Sequence, residues 1–154
     1  MTTKRILHLI ILIPLGLIIL RVILLPKPVK AEFGLTGFSN RYFSIGADSG
    51  LINNKKITKT VVYEGFFSLD KTLDKLTSQR LIEVLQDSSN YRWGEEGTPD
   101  FKTRLVYYDE LGTVLGDTQL SSSGQSYTSP TIKKISKWGM LNKKGLQKIV
   151  ILIN

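Results

Sequence analysis

Imidazole and thiol chemistry have almost no foothold in this chain. Its one histidine, His8, lies inside an apolar run, and there is no cysteine among the 154 residues. Ser–His and Cys–His nucleophile pairs are therefore missing from everything that follows that run. Zinc sites draw on the same two residue types, so zinc is not expected. Disulfides and acylated cysteine are excluded with the thiols. No cofactor is expected.

Carboxylates are the remaining source of acid–base chemistry. Glu95, Glu96 and Asp100 share a polar stretch with Trp93, and Asp109-Glu110 stand in a turn. Glycoside hydrolysis uses two carboxyl groups flanking a sugar bond. A small carboxylate-dependent hydrolase is accordingly the enzymatic alternative. However, these residues match no motif, and neighbouring glutamates in a polar loop are ordinarily solvated. Asp48, Asn53 and Asn54 offer oxygens to calcium, yet the closing bidentate glutamate of a calcium loop is absent. Turn chemistry accounts for them better. Gly34, Gly37, Gly46 and Gly50 form no phosphate-cradling pattern.

Recognition is better equipped than catalysis. Tyr91, Trp93 and Trp138 are of the residue types that anchor interfaces. Near them in sequence stand Lys133, Lys134, Lys137, Lys143, Lys144 and Lys148. These nine residues form the candidate binding surface. The competing reading is core packing for the aromatics and a solvated face for the lysines. Tyr107 and Tyr108 are adjacent, so in a strand they must point to opposite sides of a sheet.

The charge is unevenly spread. The formal net charge is +8. The first 31 residues carry five basic and no acidic side chains, residues 32–130 carry a small acidic excess, and residues 131–154 carry six lysines and no acid. The last segment suits an anionic lipid surface or an acidic partner. Nucleic acid is not expected, because no nucleic-acid motif accompanies the lysines.

Residues 6–25 form an almost wholly apolar run, interrupted by His8, Pro14, Gly16 and Arg21. As a helix this run would be about 30 Å long, matching the hydrocarbon core of a bilayer. Arg21 lies near one end, where its side chain can snorkel to the headgroups. The run reads as an N-terminal transmembrane signal-anchor in the cell membrane, single-pass. The alternative is a signal peptide cleaved at Val29-Lys30-Ala31. Lys4 and Arg5 at the start favour an extracytoplasmic domain, although Lys27 and Lys30 match them in number on the other side. The opposite orientation would lay the domain on the inner leaflet through its C-terminal lysines.

Three parts follow: an anchor (1–25), a linker (26–38) and one α+β domain (39–154). In the domain, Arg41–Ala47 and Ile57–Phe67 read as strands forming a hairpin. Ser68 or Asp70 would cap a helix with Leu69, Leu73, Leu76 and Val84 on one face, with a break at Thr77-Ser78. Phe101–Tyr108 and Thr113–Leu120 form a hairpin about Asp109–Gly112. Ser121–Pro130 reads as a wide loop and Thr131–Trp138 as a fifth strand. Residues 142–153 fit a helix capped by Asn142, with a strand as the competing choice. The expected order is β-β-α-β-β-β-α: a small, mostly antiparallel sheet with helices on one face. The expected function is that of a membrane-anchored, non-enzymatic domain binding a protein or envelope component.

Overall fold

The structure is a computed structural model that describes residues 3–26, 42–45, 52–65, 68–92, 100–130 and 135–154. The chain divides into two compact units, Met1–Phe38 and Ser39–Asn154. In the first, α1 (Thr3–Leu24) is a helix of 22 residues. Its leucine and isoleucine side chains from Ile10 to Leu24 are between 41% and 71% exposed, on every side of the helix, while Val22 is half-buried. Among the described residues, no helix is long and apolar enough to cross a membrane. The side chains before Ile10 are not described, and the stretch from Ile10 to Leu24 is only about 22 Å long.

The second unit is α+β. Its strands are β1 (Tyr42–Ile45), β2 (Lys59–Tyr63), β3 (Lys71–Leu73), β4 (Tyr91–Arg92), β5 (Phe101–Tyr108), β6 (Val114–Ser121), β7 (Gln125–Pro130) and β8 (Ile135–Leu141). Two helices join them, α2 (Lys75–Gln86) and α3 (Lys143–Ile153). The sheet runs β1-β8-β7-β6-β5-β2-β3, with β4 added on β8. Its pairings are antiparallel except for β1 with β8.

Alternation along the strands separates two faces. Leu105 and Tyr107 on β5 share one face with Val62, Leu73, Leu120 and Leu141. Leu81, Ile82 and Leu85 of α2 and Ile149 of α3 pack against that face. Both helices thus cover one side of the sheet. Burying each such side chain contributes about 1.5–3 kcal/mol. Tyr107 is fully buried there, and its hydroxyl donates to Thr118 Oγ1 at 2.7 Å. On the other face, Arg104 and Asp117 form a buried ion pair at 3.0 Å, beside Val106.

Several expectations need correction. The first two strands do not form a hairpin. Tyr42 pairs with Ile135 at one end of the sheet, whereas β2 lies between β5 and β3 near the other. The helix does not begin at Ser68 or Asp70. Residues Lys71–Leu73 instead add a strand to β2, which buries Leu73 and satisfies backbone groups that a helix would have withheld. Leu69 and Leu76 consequently point to solvent. Asp74 is the cap, accepting from Thr77 N at 2.9 Å and from Thr77 Oγ1 at 2.8 Å. There is no break at Thr77-Ser78: the Ser78 side chain is buried and donates to the Leu73 carbonyl.

Ser121–Pro130 is not a wide loop. A tight turn at Ser121–Gly124 leads directly into β7, bonded on both sides. Two of its polar side chains find partners within the sheet. Thr128 Oγ1 meets Thr118 Oγ1 at 2.8 Å, and Ser126 Oγ donates to the Gly139 carbonyl. The strand after it runs three residues beyond the expected end at Trp138, to Leu141. Residues 143–153 are helical, and Asn142 Oδ1 accepts from Gly145 N at 2.8 Å.

Candidate interaction groove between the two helices

α2 and α3 run antiparallel. At one end, Asn142 N donates to the Asn90 carbonyl at 2.8 Å, and Asn142 Nδ2 donates to the Ser89 carbonyl at 2.8 Å. At the other, Lys71 Nζ donates to the carbonyls of Ile153 and Asn154, at 2.9 and 2.6 Å. The approach at the first end requires glycine. A Cβ on Gly145 would lie 2.4 Å from the Asn90 carbonyl oxygen. The glycine that weakens the helix on propensity grounds is what lets α3 seat against the end of α2.

Between the helices lies an open groove of about 410 Å³. Arg80, Glu83 and Val84 of α2, with Asp87 just past its end, form one wall at the spacing of one helical face. Lys148, Ile151 and Leu152 form its α3 wall, and Asn90 closes one end. That end is ordered by hydrogen bonds. Lys148 Nζ donates to Asn90 Oδ1 at 2.8 Å, and Asn90 Nδ2 donates to the Val84 carbonyl at 2.9 Å. The Asp87 carboxyl is held below its ordinary pKa, first by the Ser89 hydroxyl and backbone N–H and then by the charges of Lys148 and Lys144. Toward the other end stand Arg80, Ile151 and Leu152. Ile151 is 76% exposed, and Leu76, one turn before Arg80, is 57% exposed.

The sequence-derived candidates fall into three sets. Lys143 and Lys144 are exposed on the first turn of α3, and Lys148 lines the groove. Tyr91 is engaged within the fold: its hydroxyl donates to the Leu85 carbonyl at 2.7 Å. Its ring also occupies the place that a side chain on Gly139 would need. Burial raises the Tyr91 pKa. Trp93, Lys133 and Lys134 lie outside the described residues, as do the side chains of Lys137 and Trp138 on β8.

Of the carboxylate candidates, Asp100 is exposed and pairs with Lys102 at 3.0 Å, while Glu95 and Glu96 lie outside the described residues. Asp109 organises the β5–β6 turn, accepting from Leu111 N and Thr113 N. Among the calcium candidates, Asn53 caps a short turn by accepting from Lys55 N, and Asp48 is outside the described residues. No group of three or more metal-ligating side chains occurs among the described residues.

Tyr107 and Tyr108 do point to opposite sides. Burial raises the pKa of both. The Tyr108 hydroxyl lies 3.4 Å from that of Tyr63, and Lys59 Nζ is 5.2 Å from the Tyr108 ring centroid.

Sequence reasoning missed most of the groove. Arg80, Glu83, Val84 and Asp87 recur at i, i+3, i+4 and i+7, a spacing already contained in the expected helix, but nothing local in the sequence says that α3 lies beside it.

No family model matches the chain, and no curated protein matches it. Among solved structures, it is similar to a chain described as a "Putative Lipoprotein from Clostridium perfringens". The TM-score is 0.40 at 10% identity, covering 62% of this chain and 82% of that one. A likeness of that extent assigns neither a family nor an activity.

Proposed function

We propose that this protein is a single-pass, membrane-tethered interaction domain without enzymatic activity, held outside the cell membrane by residues 6–25 and binding an envelope component. The observation that carries this reading is the aliphatic surface of α1 from Ile10 to Leu24, exposed on all sides. A helix apolar all round is stable in hydrocarbon or a large protein core, not in water. Adding Ile6–Leu9 from the sequence brings the apolar length to that of a bilayer core.

The domain's chemistry supports binding over catalysis. Cysteine is absent, and the one histidine belongs to the apolar run. The groove between α2 and α3 is the surface best suited to binding. It combines the exposed aliphatic side chain of Ile151 with the exposed Arg80.

Membrane fractionation tests the tether. The uncut chain should resist high-salt and alkaline washing of membranes, and a variant lacking residues 1–25 should be released. Recovery of the full-length chain from the aqueous fraction would refute the reading. Protease accessibility of the domain in intact cells and spheroplasts decides its side of the membrane.

A further inference from the structure

We infer that the envelope component met by the outer face of α2 and α3 is the bilayer itself, in the form of an anionic lipid surface. This inference rests on the tether proposed above. α3 carries Lys143 and Lys144 on its first turn and no acidic residue along its length. Its later turns expose Val150 and Ile151, 42% and 76% accessible. Across the groove, α2 adds exposed Leu76 and Arg80. Aliphatic side chains flanked by lysine and arginine on a helix surface form the pattern that lies in a lipid interface, with cations at the headgroups and apolar tips among the acyl chains.

A protein-binding hot spot would more often present buried tyrosine or tryptophan, and none lines this groove. The two acids on the face do not overturn the balance. Four cations, Arg80, Lys143, Lys144 and Lys148, stand against Glu83 and Asp87.

The linker keeps such an encounter within reach once the tether is in place. The 17 residues between Leu24 and Tyr42 span at most about 60 Å when fully extended. The domain as a whole is therefore held within that distance of lipid, and weak individual contacts suffice. Each lysine near an anionic surface favours contact about fivefold.

The native absence of cysteine allows a direct test in the full-length chain. Leu17→Cys, Ile151→Cys and Leu111→Cys variants would each carry one environment-sensitive fluorophore. They would be reconstituted in vesicles of phosphatidylcholine and phosphatidylglycerol containing nitroxide-labelled acyl chains. Labels at positions 17 and 151 should be quenched. The label at position 111, on a turn residue that is 91% exposed, should not. Replacing phosphatidylglycerol with phosphatidylcholine, or adding Lys143→Glu and Lys144→Glu, should relieve quenching at 151 and leave it at 17.

Quenching at 17 with none at 151 overturns the docking and spares the tether. Loss of quenching at 17 overturns the tether. A label at 151 that becomes protected with rising protein concentration, independently of lipid charge, assigns the face to another copy of the chain and overturns the proposal.

Discussion

Arg104 and Asp117 form the ion pair whose removal should be felt most. Arg104 NH1 lies 3.0 Å from Asp117 Oδ2, with the two side chains 3% and 2% exposed. They sit diagonally across β5 and β6, since Arg104 is paired in register with Gln119 and Asp117 with Val106. Removing one partner of a buried pair leaves the other charge in a medium that cannot solvate it, at a cost of about 3–5 kcal/mol. Whole domains are stable by only about 5–15 kcal/mol. For a unit the size of Ser39–Asn154, each kcal/mol corresponds to about 4 °C in Tm. Arg104→Met or Asp117→Leu alone should therefore lower the melting temperature by about 12–20 °C. The double variant Arg104→Met with Asp117→Leu removes both charges at once. It should recover most of the loss, ending within about 2 kcal/mol of the parent. Circular dichroism melts of the full chain in detergent, together with urea titrations, would supply the four corners of the cycle. Single variants that cost under about 1 kcal/mol would mean that the pair is solvated. A double variant as damaged as the sum of the singles would mean that the two side chains are not coupled.

Other consequences can be checked alongside. Gly145→Ala should destabilise by about 1–3 kcal/mol in urea titration, although alanine gains ~1 kcal/mol of helix propensity, because its Cβ meets the Asn90 carbonyl; a more stable variant would refute the close approach. Asn90→Ala strands the Val84 carbonyl and Lys148 and should cost about 1–3 kcal/mol by the same measurement, with no effect expected if the groove end is open to water. The Asp74 pKa is lowered chiefly by the Thr77 backbone N–H. A depressed folded-state value contributes stability above the ordinary value of 3.8, and that contribution is lost as pH falls through the folded-state value. Asp74→Asn keeps an acceptor but cannot titrate, so its stability should fall less steeply on acidification; parallel acid limbs would contradict the assignment.

How far the sequence could be read depended on whether a residue's role was local. Phe101–Tyr108 and its returning strand were legible because β-branched and aromatic residues gather on both sides of Asp109–Gly112, which is strong turn chemistry. The Asn142 cap and the aliphatic stripe of α3 were legible for similar reasons. β7 was hidden because its serines and threonines look like loop residues until neighbours on both sides supply their partners. The start of α2 was misplaced because Ser68 and Asp70 are as good caps as Asp74, and only the pairing of Lys71–Leu73 with β2 decides among them. The partner of β1 could not be read at all, since no local pattern encodes a strand so far along the chain. The groove was hidden because no local pattern places α3 beside α2, and of its lining only Lys148 was anticipated.

The pairing of Tyr42 with Ile135 has a consequence for biogenesis. The two positions are 93 residues apart, so β1 lacks this partner until nearly the whole chain has been synthesised. Loop closure of that length delays folding and leaves a strand edge open to wrong pairings. Slowing elongation late in the message, or stalling it before β8, should trap a nascent species that chaperones and proteases recognise, however well the middle hairpins have already formed.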